Sequence, residues 1–175
     1  MPPTAARTGT DTVANGTRVL TLVSTAIVLE GFDIQVVGFT APAMMAEWHL
    51  TKQAMGPAMA AALVGMIIGA AGGGRLGDAW GRRPLLIACL GCFGVATLLT
   101  SLADGPVAVA WLRWVAGIGF GAGLSNAMAL TAESGSVRSS FQTVNLVILG
   151  IPAGGMLGAA IANALLPAFG WRAVF

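Results

Sequence analysis

Four stretches of this chain run without a single charged side chain: Gln53–Gly74, Pro84–Ala103, Trp114–Ala132 and Ser139–Trp171. Each is long enough for the roughly 20 residues that cross a bilayer as a helix. The last has room for a span and a loop, which the sequence places at Leu166–Gly170. A further apolar stretch, Arg18 to Pro42, holds two acids, Glu30 and Asp33. The expectation is five spans, with Trp171–Phe175 the start of a sixth. Composition agrees, since only 9% of the 175 residues are charged, against about 25% in soluble domains. So few charges cannot cover a soluble surface. The fold class is therefore an all-α polytopic membrane protein, and a net charge of +2 gives no basis for a nucleic-acid partner.

The basic residues matter by position. With the N-terminus inside, the inner segments hold Arg7, Arg18, Arg75, Arg82, Arg83 and Arg138, and the outer ones Lys52 and Arg172. That asymmetry follows the positive-inside rule and puts the N-terminus in the cytoplasm. All of Trp48, Trp80, Trp111, Trp114 and Trp171 fall near span ends, where aromatic belts sit. Residues 1–17 read as a polar, disordered cytoplasmic tail, and 18–175 as the membrane bundle. No cleavage-like site follows the first apolar stretch, so it is read as a retained helix rather than a signal peptide.

Small residues recur every fourth position. They are Ala61, Gly65, Gly69, Gly73 and Gly77 in the second span, Gly117, Gly121 and Ser125 in the fourth, and Gly150, Gly154 and Gly158 in the fifth. Such stripes let helix backbones approach closely in lipid. The second and fifth spans are expected to leave their glycine faces unpartnered within this chain. Gly72-x-Gly74-x-x-Gly77 matches a dinucleotide-binding pattern, but it lies in a membrane span without the βαβ unit that the pattern requires. No cofactor is expected. Cys89 and Cys92 form a CxxC inside an apolar run and read as small fillers. His49 reads as a solvated loop residue. Asn126, Gln142 and Asn145 suit a polar cavity and interhelical hydrogen bonds equally well.

Three groups of residues point to function. Glu30 and Asp33 lie three apart near the middle of the first span and so share a face. Intramembrane acids of this kind mark ion or substrate pathways by default. Arg113 lies within the fourth span, where it either snorkels to the headgroups beside Trp111 and Trp114 or serves those acids. The 1.5 Å rise per residue puts Asp33 and Arg113 within about one turn of each other in depth. Between the second and third spans lies Gly74-Arg75-Leu76-Gly77-Asp78-Ala79-Trp80-Gly81-Arg82-Arg83-Pro84. An acid and two arginines in so short a turn exceed what the positive-inside rule needs.

This loop resembles the signature G-x-x-x-D-(R/K)-x-G-R-(R/K) of the major facilitator superfamily, with Ala79 where a base is common. Arg113-x-x-x-Gly117-x-Gly119 is similar to a second signature of that superfamily, one linked to proton coupling. Gly31-Phe32-Asp33-x-Gln35-x-x-Gly38-Phe39-x-Ala41-Pro42-Ala43 resembles the aromatic acid:proton symporters, including 4-hydroxybenzoate carriers, which usually carry Asp where Glu30 stands. Glu133 and Arg138 bracket the loop after the fourth span, and Gly170-Trp171-Arg172 precedes the sixth, as in that family.

The resemblance implies the N-terminal half of a two-half carrier in the cytoplasmic membrane, with substrate held between the halves and the C-terminal half missing. It implies proton-coupled symport of a small organic anion, an aromatic carboxylate. Asp33 would carry the proton with Glu30 assisting, and Arg113 would bias Asp33 or attract the carboxylate. Gly74, Asp78, Gly81, Arg82, Arg83, Glu133 and Arg138 would form a cytoplasmic gate. The rival readings are a carrier of the same superfamily for a sugar, metabolite or drug, a small homo-oligomeric channel, and a membrane-embedded enzyme. A single His and no metal-like constellation argue against the enzyme.

Overall fold

The computed structural model describes residues 9–133 and 137–175, with side chains from Ser24 to Ala129, from Leu149 to Phe175, and at positions 21, 141 and 145. Its elements are α1 (Gly9–Glu47), α2 (Lys52–Trp80), α3 (Arg82–Thr100), α4 (Pro106–Glu133), α5 (Val137–Phe169) and a 3₁₀ turn, Trp171–Val174. All five α-helices contain a stretch long and apolar enough to cross a membrane.

The helices outrun the charge-free windows because a window marks the lipid boundary, whereas a helix continues until its backbone is stopped. α1 starts before Arg18 and passes through Pro42, and α5 passes through Pro152 and Pro167. Membrane helices tolerate such prolines because neighbouring groups re-satisfy the freed carbonyls. The loop expected at Leu166–Gly170 thus shrinks to Gly170, whose φ of 76° breaks the helix. α2 begins at the Thr51 cap, whose side chain accepts from the Ala54 N–H at 3.3 Å. It ends at Gly81, which at φ 92° donates its N–H to the Gly77 carbonyl and also starts α3. A single residue joins the two helices, and only glycine adopts that backbone without strain.

α4 lies between α2 and α3, while α1 packs along α5. Methyl groups added at Gly65 or Gly69 would collide with backbone carbonyls of Trp114 or Ile118, and at Gly117 or Gly121 with those of Ala62 or Met66. The two stripes interlock. Likewise Gly154 abuts the Val28 carbonyl, Gly158 abuts Phe32 and Val36, and Gly150 abuts Ile27. This corrects the expectation that α2 and α5 leave their glycine faces unpartnered. Small faces are consumed where backbones meet inside this bundle. The open faces are instead apolar: Leu63, Val64, Ile67 and Ile68 on α2, and Met156, Leu157 and Ile161 on α5.

The chain's last residues are clasped onto the bundle. The Trp171 indole N–H donates to Glu47 at 2.6 Å, and Arg172 donates to the same carboxylate at 2.7 and 2.9 Å and to the Ala103 carbonyl at 3.3 Å. Trp48 meets Trp171 edge to face at 5.4 Å. Beneath them Met44, Met55, Ala58 and Val109 make an apolar cap. The clasp brings Phe175 over the Arg113 guanidinium at 5.7 Å, which ties this terminus to the charged centre.

Candidate functional site: a buried ion pair between helices one, three and four

The charged centre is built from three helices. α1 contributes Glu30 and Asp33, α3 contributes Thr97 and Thr100, and α4 contributes Arg113. Asp33 is 3% exposed, Arg113 2% and Glu30 5%. Arg113 Nη1–H donates directly to Asp33 Oδ2 as an ion pair. Its Nη2 donates to both Thr97 Oγ1 and Thr100 Oγ1 at 3.3 Å. The Thr97 hydroxyl in turn donates to Asp33 Oδ1 at 3.1 Å, so one hydroxyl touches both charges. Thr100 spends its proton on the Ala96 carbonyl at 3.0 Å, which leaves its oxygen free to accept.

These contacts decide the two readings of Arg113. A snorkelling arginine reaches water, whereas this one is enclosed and turned inward onto α1. The cluster holds two carboxyl groups and one guanidinium. Glu30 Oε2 and Arg113 Nε find no hydrogen-bond partner among the described residues. With both acids ionised the cluster would carry one uncompensated negative charge in a dry interior, a state that proteins avoid by taking up a proton.

The residues expected to form a gate lie elsewhere. Arg82 donates to Asp78 at 3.1 Å across Gly81, with Asp78 exposed. Along α3, Arg82 and Thr97 are about 22 Å apart at 1.5 Å per residue. An exposed i,i+4 pair contributes only about 0.3–0.5 kcal/mol, so this contact alone is a weak latch. Gly74 has open space around its α-carbon, Arg82 is half-buried and Arg83 is exposed. The side chains of Glu133 and Arg138 lie outside the described residues.

Other polar candidates separate cleanly. Asn126 makes one interhelical bond, its Nδ2 donating to the Gly73 carbonyl of α2 at 2.8 Å, and one within α4, to the Ala122 carbonyl at 2.8 Å. Asn145 is exposed, and the side chain of Gln142 lies outside the described residues. Cys89 and Cys92 are both free thiols, Cys89 buried. His49 is exposed, with φ at 52°. Sequence reasoning missed Thr97 and Thr100, since threonines three apart in an apolar helix ordinarily bond their own backbone. It also missed Glu47, which looks like an ordinary end-of-span charge until Trp171 and Arg172 fold onto it.

Interlocked glycine stripes, a one-residue turn between α2 and α3, and a buried acid–arginine pair linking α1 to α4 define a multi-pass membrane protein of the carrier type. The chain belongs to the Major Facilitator Superfamily, whose family model matches residues 23–175. It is 35% identical over 157 residues to the 4-hydroxybenzoate transporter PcaK of Pseudomonas putida, covering 90% of this chain and 35% of that one. It is 34% identical over 156 residues to a gallate transporter of the same organism, covering 89% and 35%. Against the 3-(3-hydroxy-phenyl)propionate transporter of Escherichia coli K12 it is 35% identical over 149 residues, covering 84% and 36%. The chain thus spans about a third of the length of the curated relatives it matches. No solved structure matches it.

Proposed function

We propose that this chain is the N-terminal part of a proton-coupled symporter for an aromatic carboxylate. The observation that carries the reading is the excess acid of the buried cluster. Two carboxyl groups, Glu30 and Asp33, share one guanidinium, Arg113, and such a set is balanced by one more proton. Enclosure of Arg113 favours its role as the counter-charge of Asp33 over a role as the substrate's anchor. When that proton sits on Asp33 rather than on Glu30, it removes the charge that holds α1 to α4, and α1 is then free to shift against α3 and α4. Substrate and proton that favour the same shifted state bind co-operatively, by linkage, and so cross together.

The remaining two thirds of the relatives' length supports a second half, closing the cavity from the other side in the two-half arrangement of this superfamily. The proposed setting is the cytoplasmic membrane, with the N-terminus and the Arg75–Arg83 turn inside. The aromatic substrate class rests on the similarity to carriers named for 4-hydroxybenzoate, gallate and 3-(3-hydroxy-phenyl)propionate.

Uptake of labelled 4-hydroxybenzoate by cells carrying the intact transporter tests this reading, with unlabelled aromatic acids, sugars and amines as competitors. Aromatic acids are expected to compete and collapse of the proton gradient to stop accumulation. Competition by sugars or amines alone would move the carrier to another substrate class.

A role in the gate follows for Asp78, whose exposed carboxylate contributes little to stability. Asp78→Asn is expected to lower transport at least tenfold while surface expression stays at the wild-type level. Normal uptake by that variant would remove Asp78 from the gate.

A further inference from the structure

Helix one separates two environments. Asp33 and Gln35 are two residues apart, which turns their side chains about 200° from each other around the axis. Asp33 points into the closed cluster with Thr97 and Arg113. Gln35 lies on the opposite, exposed face with Gly38, Phe39 and Pro42. It stands near the middle of the apolar stretch Ser24–Glu47, the depth at which lipid tails are driest. No hydrogen-bond partner for its amide is found among the described residues.

An amide at that depth does not face hydrocarbon, because an unsatisfied polar group there costs several kcal/mol. It faces either protein or a water-filled cavity. α5 leaves it room. A β-carbon at Gly155 would come within 2.7 Å of Gln35 Cγ and 3.3 Å of Nε2, so glycine there makes space for this side chain. Gln35 and Gly155 therefore form one feature, a neutral amide seated beside a backbone that carries no side chain.

We infer that Gln35 contacts the transported molecule, on the face of helix one opposite the proton-binding cluster, and that its amide pairs with a hydroxyl on the substrate's ring. The inference rests on the proposed transport of aromatic acids. A neutral amide cannot balance a carboxylate, but it offers one acceptor and two donors, matching a phenol that both donates and accepts. 4-Hydroxybenzoate, gallate and 3-(3-hydroxy-phenyl)propionate, for which three of the relatives are named, each carry a ring hydroxyl, whereas a relative at 28% identity is named for benzoate, which has none. Sites that hydrogen-bond a substrate hydroxyl reject the analogue without it, because their own polar group is left unpaired. Substrate and proton thus sit on two sides of one helix, and the helix itself is the coupling element.

Two measurements on the intact carrier test this. The first is Gln35→Cys in a background with Cys89 and Cys92 replaced, exposed to a charged, water-soluble thiol reagent. Modification is expected, and saturating 4-hydroxybenzoate is expected to slow it severalfold. Val36→Cys, buried against Gly158 and Ala162 of α5, is expected to stay unmodified. The second is the preference for 4-hydroxybenzoate over benzoate. It is expected to fall about tenfold in Gln35→Leu, and to fall in Gly155→Ala, whose methyl displaces the amide. An unmodified Cys at 35 overturns the inference, as does a preference unchanged in Gln35→Leu. If wild type takes up no aromatic acid, the transport reading fails and the substrate contact falls with it. If wild type takes up both acids and Cys at 35 stays unreactive, the transport reading stands and only Gln35 loses its role.

Discussion

Asp33→Asn in the intact carrier is expected to abolish accumulation driven by a pH gradient, a fall of at least tenfold, while exchange of internal for external substrate continues. Asparagine keeps the size of the side chain; its one oxygen can still accept from Arg113 while its NH2 donates to the Thr97 hydroxyl, so the packing around it survives. It cannot bind and release a proton. The variant is held permanently in a neutral state, able to shift but unable to draw on the gradient. Counterflow and gradient-driven uptake, measured side by side, separate the two activities. Gradient-driven accumulation at the wild-type level in this variant would show that Asp33 is not the coupling residue.

Arg113→Ala is expected to fail at an earlier stage, in the stability of the bundle itself. Removing the guanidinium leaves Asp33 without its partner and returns neither threonine its donor. Breaking a buried pair from one side costs about 3–5 kcal/mol in soluble proteins, because the remaining charge is left uncompensated. Thermal unfolding in detergent should therefore drop well below wild type, and yield with it. The double variant Asp33→Asn, Arg113→Gln keeps volume and hydrogen bonding while removing both charges. It is expected to recover most of the lost stability and none of the gradient-driven transport. If Arg113→Ala melts with wild type, the pair is not what joins α1 to α4.

The sequence made some of this legible and hid the rest for physical reasons. Charge-free windows show the number of spans because lipid acts on every residue of a span at once. The glycine stripes read correctly as packing surfaces, but their partners did not. A small-residue face says that something comes close, not whether it is α4 or a helix outside this chain. Asp33 and Arg113 were visible because charges are costly in hydrocarbon and so carry a signal wherever they occur. Thr97 and Thr100 were not, because a hydroxyl is inexpensive in a helix and gains its role only from what lies opposite. Gly170 illustrates a third case: the charge pattern indicated a loop over several residues, and a single backbone angle does the same task.

The distance between Asp33 and Arg113 along the chain, 80 residues, also bears on how this protein is made. At about 5–20 residues per second of synthesis, some 4–16 s separate the emergence of the acid from that of its counter-charge. During that interval α1 must enter the bilayer with Glu30 and Asp33 and without Arg113. An ionised side chain at the centre of an inserting helix costs about 2.5–3.5 kcal/mol on insertion scales, and a group under that pressure neutralises instead. Helix one therefore waits in the bilayer without its counter-charge, and the ion pair first forms when helix four arrives. The contact that joins α1 to α4 is thus made late, after both helices are already in the bilayer.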